Sequence, residues 1–253
     1  MANYKDIHGT NIETVTSDPD NPVNGQVWYN STDQVLKGLT SNPVGSWATA
    51  NNTNTARERL AGAGLKTAAL AIGGETPPGL KSLTESWNGS SWTEVNDLNT
   101  ARSFLKAGGT YTSSLVFGGK SPPNTAVTES WNGSSWTEVS DLNTARQRHS
   151  GVGADNTSSI SIGGVDPAGP ALGVTETWNG SSWTEVADLN TGRYDLAASG
   201  TSTAALAFGG YVGTTVDLNE SWNGSTWTEL ADLVEVKRYH GASVKGTSTV
   251  VPT

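Results

Sequence analysis

Trp131-Asn132-Gly133-Ser134-Ser135-Trp136 is the stretch that decides the fold, because it returns along the chain at a nearly constant distance. Its other copies begin at Trp87, Trp178 and Trp222, which gives a period of 44 to 47 residues. Only the last copy departs from the pattern, with Thr226 in place of the second Ser. A fixed period in this range is typical of proteins built from stacked structural repeats.

Two further motifs keep the same period and fall between the hexapeptides. The Gly pairs are Gly73-Gly74, Gly118-Gly119, Gly163-Gly164 and Gly209-Gly210. The motif Asn-Thr-Ala-Arg begins at Asn54, Asn99, Asn143 and Asn190, with Gly192 replacing Ala in the last copy. Three motifs on one period therefore define a repeating unit of about 45 residues.

Each unit is predicted to form four strands. In the second unit these are Phe104 to Gly109, Ser114 to Phe117, Ala126 to Trp131 and Trp136 to Val139. Asn132-Gly133 predicts a hairpin between the last two strands, because both residues accept a positive φ. No segment has helical periodicity. Four antiparallel strands in about 45 residues are typical of one blade of a β-propeller, which makes the chain all-β.

The two ends of the chain predict a fifth blade that they share. Trp47 precedes Arg57 at the distance that separates Trp92 from Arg102, so Trp47 begins the outer strand of a blade whose start is missing. The tail from Gly241 to Val251 matches the first two strands of a new unit. Strand exchange between the ends would close the ring and remove exposed strand edges. A competing strand, Gln26 to Asn30, pairs with Val35 to Leu39 across Ser31-Thr32-Asp33.

The Gly pair, the two spaced aromatic residues and the following Asn-Thr-Ala-Arg resemble kelch repeats over residues 45–251. The aromatic residues stand five apart, closer than is usual in that family, and the turn lacks the usual Pro. The resemblance implies a five-bladed kelch-like β-propeller closed by N- and C-terminal strands that share one blade. We assign residues 26–253 to this propeller and residues 1–25 to an extended N-terminal arm.

The stretch from Asp18 to Thr32, which contains Gly25-Gln26-Val27-Trp28-Tyr29-Asn30, resembles the openings of tail-fibre and virion proteins of marine bacteriophages. The resemblance implies a non-enzymatic virion structural protein, present in multiple copies as a tail fibre or a decoration of the particle. Its partners would be other virion proteins, docked through the arm, and a glycan or protein of the host surface. The alternative is a carbohydrate-binding, lectin-like propeller.

Charge and composition exclude several functions. With 15 Lys and Arg against 24 Asp and Glu, the net charge is −9, which disfavours binding to nucleic acid or to an anionic membrane. There is no Cys, so neither disulfides nor thiolate metal sites exist. Met1 to Asp6 has no apolar run and predicts no secretory signal, and no stretch predicts membrane insertion. We therefore expect no cofactor and no metal.

The cations that end each Asn-Thr-Ala-Arg motif are the candidate ligand-binding residues. They predict a five-fold ring of positive charge around one mouth of the channel, suited to a carboxylate or phosphate on a glycan. The alternative is structural, with each Arg paired to a Glu of its own blade: Glu85, Glu129, Glu176 or Glu220. The ring consists of Arg57, Arg102, Arg146, Arg193 and Lys237.

Catalytic residues are not predicted, since the three His do not cluster. His149 and His240 lie two repeats apart and share one register. The Trp pairs could stack on sugars, or they could pack between blades, as recurrence in every unit favours. The loops after the Gly pairs vary most between units, and binding residues often lie on such loops. These loops are residues 75–80, 120–125, 165–173 and 211–216.

Overall fold

The computed structural model describes residues 13–17, 27–38, 50–166 and 169–241. The chain divides into two compact units, residues 1–49 and 50–253. Within the described ranges every regular element is a strand and none is a helix, so the prediction of an all-β protein is confirmed. The described residues therefore contain no helix that is long and apolar enough to cross a membrane.

The first unit contains a three-stranded sheet. Its strands are β1 (Glu13–Val15), β2 (Val27–Asn30) and β3 (Val35–Gly38). β2 and β3 form the hairpin that the sequence predicted, and the Asn30 side chain accepts hydrogen bonds from the backbone N–H groups of Thr32 and Asp33 at 3.0 Å. β1 pairs with β2 in parallel, so part of the predicted arm belongs to this sheet. This pairing joins the two sides of the predicted boundary at residue 25, whereas the compact units divide at residue 50.

The second unit contains four consecutive four-stranded sheets. In the first sheet the strands are β4 (Ala61–Leu65), β5 (Ala68–Ile72), β8 (Thr84–Trp87) and β9 (Trp92–Val95), and the short strands β6 (Glu75–Thr76) and β7 (Gly79–Leu80) form a separate hairpin. The second sheet has β10 (Lys106–Gly109), β11 (Ser114–Phe117), β12 (Thr128–Trp131) and β13 (Trp136–Val139). The third has β14 (Ser150–Asp155), β15 (Ser158–Val165), β16 (Ala171–Trp178) and β17 (Trp183–Glu185). The fourth has β18 (Ala197–Gly200), β19 (Ala205–Phe208), β20 (Asn219–Trp222) and β21 (Trp227–Glu229). All neighbours within these sheets are antiparallel.

The predicted four strands per unit are thus confirmed in all four sheets. β10 begins two residues later than predicted because Phe104 has a φ of 54°, which is incompatible with a strand. β12 also begins two residues later than predicted, and the preceding Val127 carbonyl accepts hydrogen bonds from Arg102 Nη1 and from the Gly118 N–H.

The hexapeptide hairpin differs in detail from the predicted turn. Gly133 has a φ of 95°, whereas Asn132 does not have a positive φ. The Asn132 side-chain oxygen instead accepts hydrogen bonds from the backbone N–H groups of Ser134 and Ser135, each at 2.9 Å. Four residues therefore connect the strands, and Trp131 and Trp136 face each other with ring centroids 5.1 Å apart. Asn acts here as a side-chain acceptor, a role that it often has in turns.

The second Trp of three hexapeptides joins its sheet to the preceding one. Trp136 Nε1 donates a hydrogen bond to Thr84 Oγ1 at 3.1 Å, and Trp183 and Trp227 donate in the same way to Thr128 and Thr175. Apolar clusters fill the spaces between consecutive sheets. The buried positions of these Trp side chains agree with packing between sheets.

A backbone hydrogen bond also links each sheet to the unit that follows. The second Gly of each pair donates its N–H to the carbonyl of the next cation, as Gly119 does to Arg146 at 2.9 Å. The first strands β4, β10, β14 and β18 are consequently neighbours in that order. The last of these bonds runs from Gly210 to Lys237 at 2.7 Å. The predicted strands at Trp47 and in residues 242–253 lie outside the described residues.

Candidate functional site

The four arginines of the predicted cation ring are buried and paired with glutamates. Each guanidinium side chain is fully inaccessible, and its partner lies on the third strand of the same sheet. The Nη–Oε1 distances are 2.7 Å for Arg57–Glu85, 3.1 Å for Arg102–Glu129 and 2.6 Å for Arg146–Glu176, and Arg193 pairs with Glu220 in the same way. This is the structural arrangement that the sequence offered as the alternative to ligand binding.

The glutamates organise the Asn-Thr-Ala-Arg turns as well as the arginines. Glu129 accepts a hydrogen bond from the backbone N–H of Asn99 at 2.7 Å and another from its side-chain amide at 2.9 Å. Glu176 binds Asn143 in the same manner. The Asn-Thr-Ala-Arg turn therefore donates hydrogen bonds to a buried carboxylate. The charge of that carboxylate offsets the free-energy cost of burying the guanidinium.

Burial lowers the pKa of two of these arginines. Desolvation lowers the pKa of Arg102 to about 10, although the nearby charges of Glu129 and Asp141 oppose the change. Desolvation likewise lowers the pKa of Arg146, against the charge of Glu176. Lys237 differs from all four, since it is exposed and its Nζ lies 3.2 Å from Glu235. The ligand-binding role of the ring stays a prediction, and the two cavities described below are lined by other residues.

Two residues beyond each cation, the backbone enters the left-handed region. The residues at this register have φ values of 54° to 58°, and none is glycine: Arg59, Phe104, Arg148, Asp195 and Tyr239. Bulky side chains rarely adopt this conformation, which costs about 1–3 kcal/mol per residue. Such strain commonly marks functional positions, because the surrounding structure must enforce it. The register recurs in every unit, but its chemistry changes from one unit to the next.

These five residues surround one depression of about 180 Å³. Backbone hydrogen bonds connect several of them in succession, from Phe104 N to Arg59 O, from Asp195 N to Arg148 O and from Tyr239 N to Asp195 O. The apolar part of the wall is formed by residues that directly follow left-handed ones, namely Leu60, Leu105, Leu196 and His240. We call this depression the mouth pocket, lined by Arg59, Phe104, Lys106, Arg148, Asp195 and Tyr239.

Arg148 is held at the centre of the polar contacts in the mouth pocket. Its Nε donates to Asp195 Oδ1 at 2.8 Å, and its Nη2 contacts both Asp195 Oδ2 and the Tyr239 hydroxyl. Burial opposes the charged form, but the hydrogen bond and charge of Asp195 outweigh it and raise the pKa of Arg148. Arg148 is therefore a fixed cation, oriented by a two-point contact with a carboxylate.

Arg59 holds the same left-handed register in the first unit, and its side chain is more exposed than that of Arg148. Its guanidinium contacts Glu75, and its central carbon lies 4.7 Å from the centroid of the Phe104 ring. Arg148 approaches the same ring at 5.9 Å. Contacts of this kind orient a guanidinium over an aromatic face while leaving its edge available for hydrogen bonds.

Lys106 lies deeper, on β10, and lines both the mouth pocket and a second cavity of about 300 Å³. The equivalent positions in other units hold Ala61, Ser150, Ala197 and Gly241, so a long cationic side chain occurs there once among the described units. Desolvation lowers the pKa of Lys106, with partial compensation from the charge of Asp195. Within the described part of the chain, its ammonium makes no hydrogen bond or ion pair.

The histidines share a register, as predicted, and that register is a packing position. His149 and His240 occupy the place of Leu60, Leu105 and Leu196 in the other units. The His149 ring packs on Gly118 and lies 5.7 Å from the Phe117 ring, and His240 packs in the same way on Gly209 and Phe208. Burial, and then the charge of Arg146, lower the pKa of His149 well below its ordinary value.

The variable loops lie beside the mouth pocket. Four of the five left-handed residues follow a residue that forms a β-bridge with the start of a variable loop: Glu58 with Glu75, Ser103 with Lys120, Gln147 with Val165 and Tyr194 with Tyr211. These bridges place the turns after the cations next to the variable loops. Neither the left-handed register nor Lys106 was singled out by the sequence, although both differ between units that are otherwise nearly identical.

No family model matches the chain, and no curated protein matches its sequence. Among the described residues, no three His, Asp or Glu side chains form a group able to hold a metal ion. The mouth pocket combines oriented cations, aromatic rings and a partly desolvated lysine.

Proposed function

We propose that this chain is a non-enzymatic structural protein of a bacteriophage virion, in which the second unit displays the mouth pocket and its variable loops toward the host surface. The observation that supports this best is the contrast between the contacts that repeat in every sheet and the residues that vary at the mouth pocket and in its loops. The buried Arg–Glu pairs, the Gly contacts and the hexapeptide hairpins repeat from sheet to sheet, whereas the left-handed register and the loops differ. A rigid frame that carries varied residues on one face suits recognition.

We further propose that residues 26–253 form a five-bladed kelch-like β-propeller, closed by N- and C-terminal strands that share one blade. Lys237, Tyr239 and His240 make the contacts of a fifth unit: Lys237 accepts the Gly210 hydrogen bond, Tyr239 has the left-handed φ of 56°, and His240 packs on Gly209. Trp87 and Trp92 of the first sheet are only half-buried, while their counterparts in the other three sheets are buried. A fifth blade, made of residues 242–253 and the chain before residue 50, would cover them.

The proposed fifth blade can be tested by removing residues 242–253. If the tail covers the first sheet, the truncated protein should show increased hydrogen exchange at Trp87 and Trp92, measured with Trp131 and Trp136 as internal controls. Unchanged exchange at the first sheet would contradict the fifth blade.

The proposed place in the virion rests on the resemblance of Asp18 to Thr32 to phage proteins and on the polar composition of the N-terminal arm. A deletion of residues 1–22 tests this proposal. The second unit should still unfold cooperatively, while incorporation into particles should be lost. A matched variant in which the same number of polar residues is scrambled should also fail to incorporate. Normal incorporation of the deletion would contradict docking through the arm.

The second candidate function is a free carbohydrate-binding lectin, favoured by the aromatic and charged lining of the mouth pocket. A glycan array separates the two functions. Sugar binding that is lost on mutation of Arg102 and Arg146, in variants that remain folded, would support the original cation ring as the site. Sugar binding that depends on Arg59 and Arg148 would place it at the mouth pocket.

A further inference from the structure

We propose that the mouth pocket binds a small sugar that carries a carboxylate, with Lys106 as the group that receives the negative charge. The inference deepens the proposed host-recognition function, because it names the chemical class that the displayed face would recognise. It rests on the contacts within the pocket, which favour an anion of limited size.

The charge balance of the pocket is the first argument. Three cations line it, Arg59, Lys106 and Arg148, against one carboxylate, that of Asp195. Arg59 is in contact with Glu58 and Glu75, and Arg148 with Asp195, so Lys106 is the lining cation that has no ion pair among the described residues, in a chain whose net charge is −9. An anion is attracted to such a local positive region even when the whole molecule repels it, because screening limits distant charges more than near ones.

The separate roles of the three cations form the second argument. Arg148 is already bound to Asp195 at two points, and Arg59 contacts Glu75. Lys106 has no such partner among the described residues, and its burial lowers its pKa. The Lys106 side chain is partly buried, and only the more distant charge of Asp195 compensates it, so a bound carboxylate would supply a direct charge-assisted hydrogen bond.

The shape and surface of the pocket select a ring-shaped ligand with hydroxyl groups. The cavity of about 180 Å³ has room for a single compact molecule, and the exposed Tyr239 side chain at its rim offers a hydroxyl group. The side chains of Phe104 and Tyr239 also line the cavity and provide apolar contact. Hydroxyl groups, an apolar ring face and one negative charge occur together in sugar acids.

Binding of D-galacturonate and N-acetylneuraminate to the full chain tests the proposal, with D-galactose as the uncharged control. Isothermal titration should show that the two acids bind and that galactose binds at least about tenfold more weakly, as expected when a charge-assisted hydrogen bond is lost. Lys106→Met should reduce acid binding by about tenfold or more. Lys66→Met removes an exposed lysine in the turn after β4 and should leave binding unchanged.

Arg59→Gln provides a second variant that does not depend on a buried position, since its side chain is 42% exposed. It should also weaken acid binding and leave the thermal midpoint nearly unchanged. The proposal is overturned if neither acid binds at about 10 mM, a very weak limit, or if acids and galactose bind equally. Retention of full affinity in both Lys106→Met and Arg59→Gln would also overturn it. None of these outcomes affects particle incorporation, so the virion role is decided separately.

Discussion

The guanidinium of Arg146 lies 2.6 Å from the carboxylate of Glu176, and both side chains are completely inaccessible. Arg146 also donates to Ser161 Oγ at 2.9 Å, and Glu176 accepts hydrogen bonds from the backbone and side-chain nitrogens of Asn143. One buried ion pair thereby joins the turn that enters a sheet to two strands of that sheet.

Removing one charge of this pair should strongly destabilise the protein. Glu176→Gln leaves the guanidinium buried without a counter-ion, so we expect a loss of about 3–5 kcal/mol in the free energy of unfolding. Urea denaturation followed by Trp fluorescence measures the change. Glu94→Gln, on an exposed position of β9, is the matched control and should change stability by no more than about 0.5 kcal/mol. A similar small effect of Glu176→Gln would show that the pair does not stabilise the turn.

His149→Leu should remove part of the dependence of stability on pH. Burial and the charge of Arg146 depress the pKa of His149 in the folded state, so the unfolded chain binds the proton more readily. Its contribution to stability is therefore fully present above the unfolded pKa of about 6.5 and is lost as pH falls below that value, by up to about 1.4 kcal/mol per pH unit.

Urea midpoints of the parent and of His149→Leu at pH 5 and pH 8 measure this effect. The variant should lose less stability on acidification, because Leu occupies the same register in three other units and does not titrate. Equal acid sensitivity in the two proteins would mean that His149 does not contribute to it.

Gly118→Ala should be destabilising because a side chain there meets two atoms of the next unit. A Cβ at this position would lie 2.7 Å from His149 Cε1 and 2.9 Å from the Arg146 carbonyl oxygen, and φ is +61°. We expect a loss of about 1–3 kcal/mol, measured by chemical denaturation. Gly79→Ala is the control, since no atom lies within 4 Å of its added Cβ. Equal stability of the two variants would contradict a close contact at the Gly pair.

The Trp136–Thr84 hydrogen bond should couple the first two sheets. Trp136→Phe and Thr84→Val each remove one partner of the 3.1 Å contact, and the double variant isolates their interaction. A double-mutant cycle on unfolding free energies should give a coupling of about 1 kcal/mol. Pairing Trp136→Phe with Thr93→Val, at an exposed position on β9, should give additive effects. Additivity in both cycles would show that this bond does not hold the sheets together.

The period of the three motifs was enough to predict the strands. Four strands per unit, the hairpin at each hexapeptide and the shared register of His149 and His240 are all present. These features depend on residues close in sequence, where turn chemistry and alternating burial act locally.

The candidate site could be predicted only in part. The sequence showed that Arg102 and Arg146 recur, and it offered both a ligand-binding and a structural role. Only the tertiary structure shows their guanidinium groups buried against glutamates that lie 27 and 30 residues further along the chain. A regular charge pattern does not reveal whether its counter-ion belongs to the protein or to a ligand, because that depends on contacts between distant strands.

The sequence by itself determined the repeating unit and its all-β character, since glycine turns, aromatic positions and strand lengths recur on one period. Only the tertiary structure brought Arg59, Phe104, Arg148, Asp195 and Tyr239 to one pocket. Their side chains come from different units, and no shared residue type connects them. What connects them is a left-handed backbone at the same register, which only the packing of successive sheets enforces.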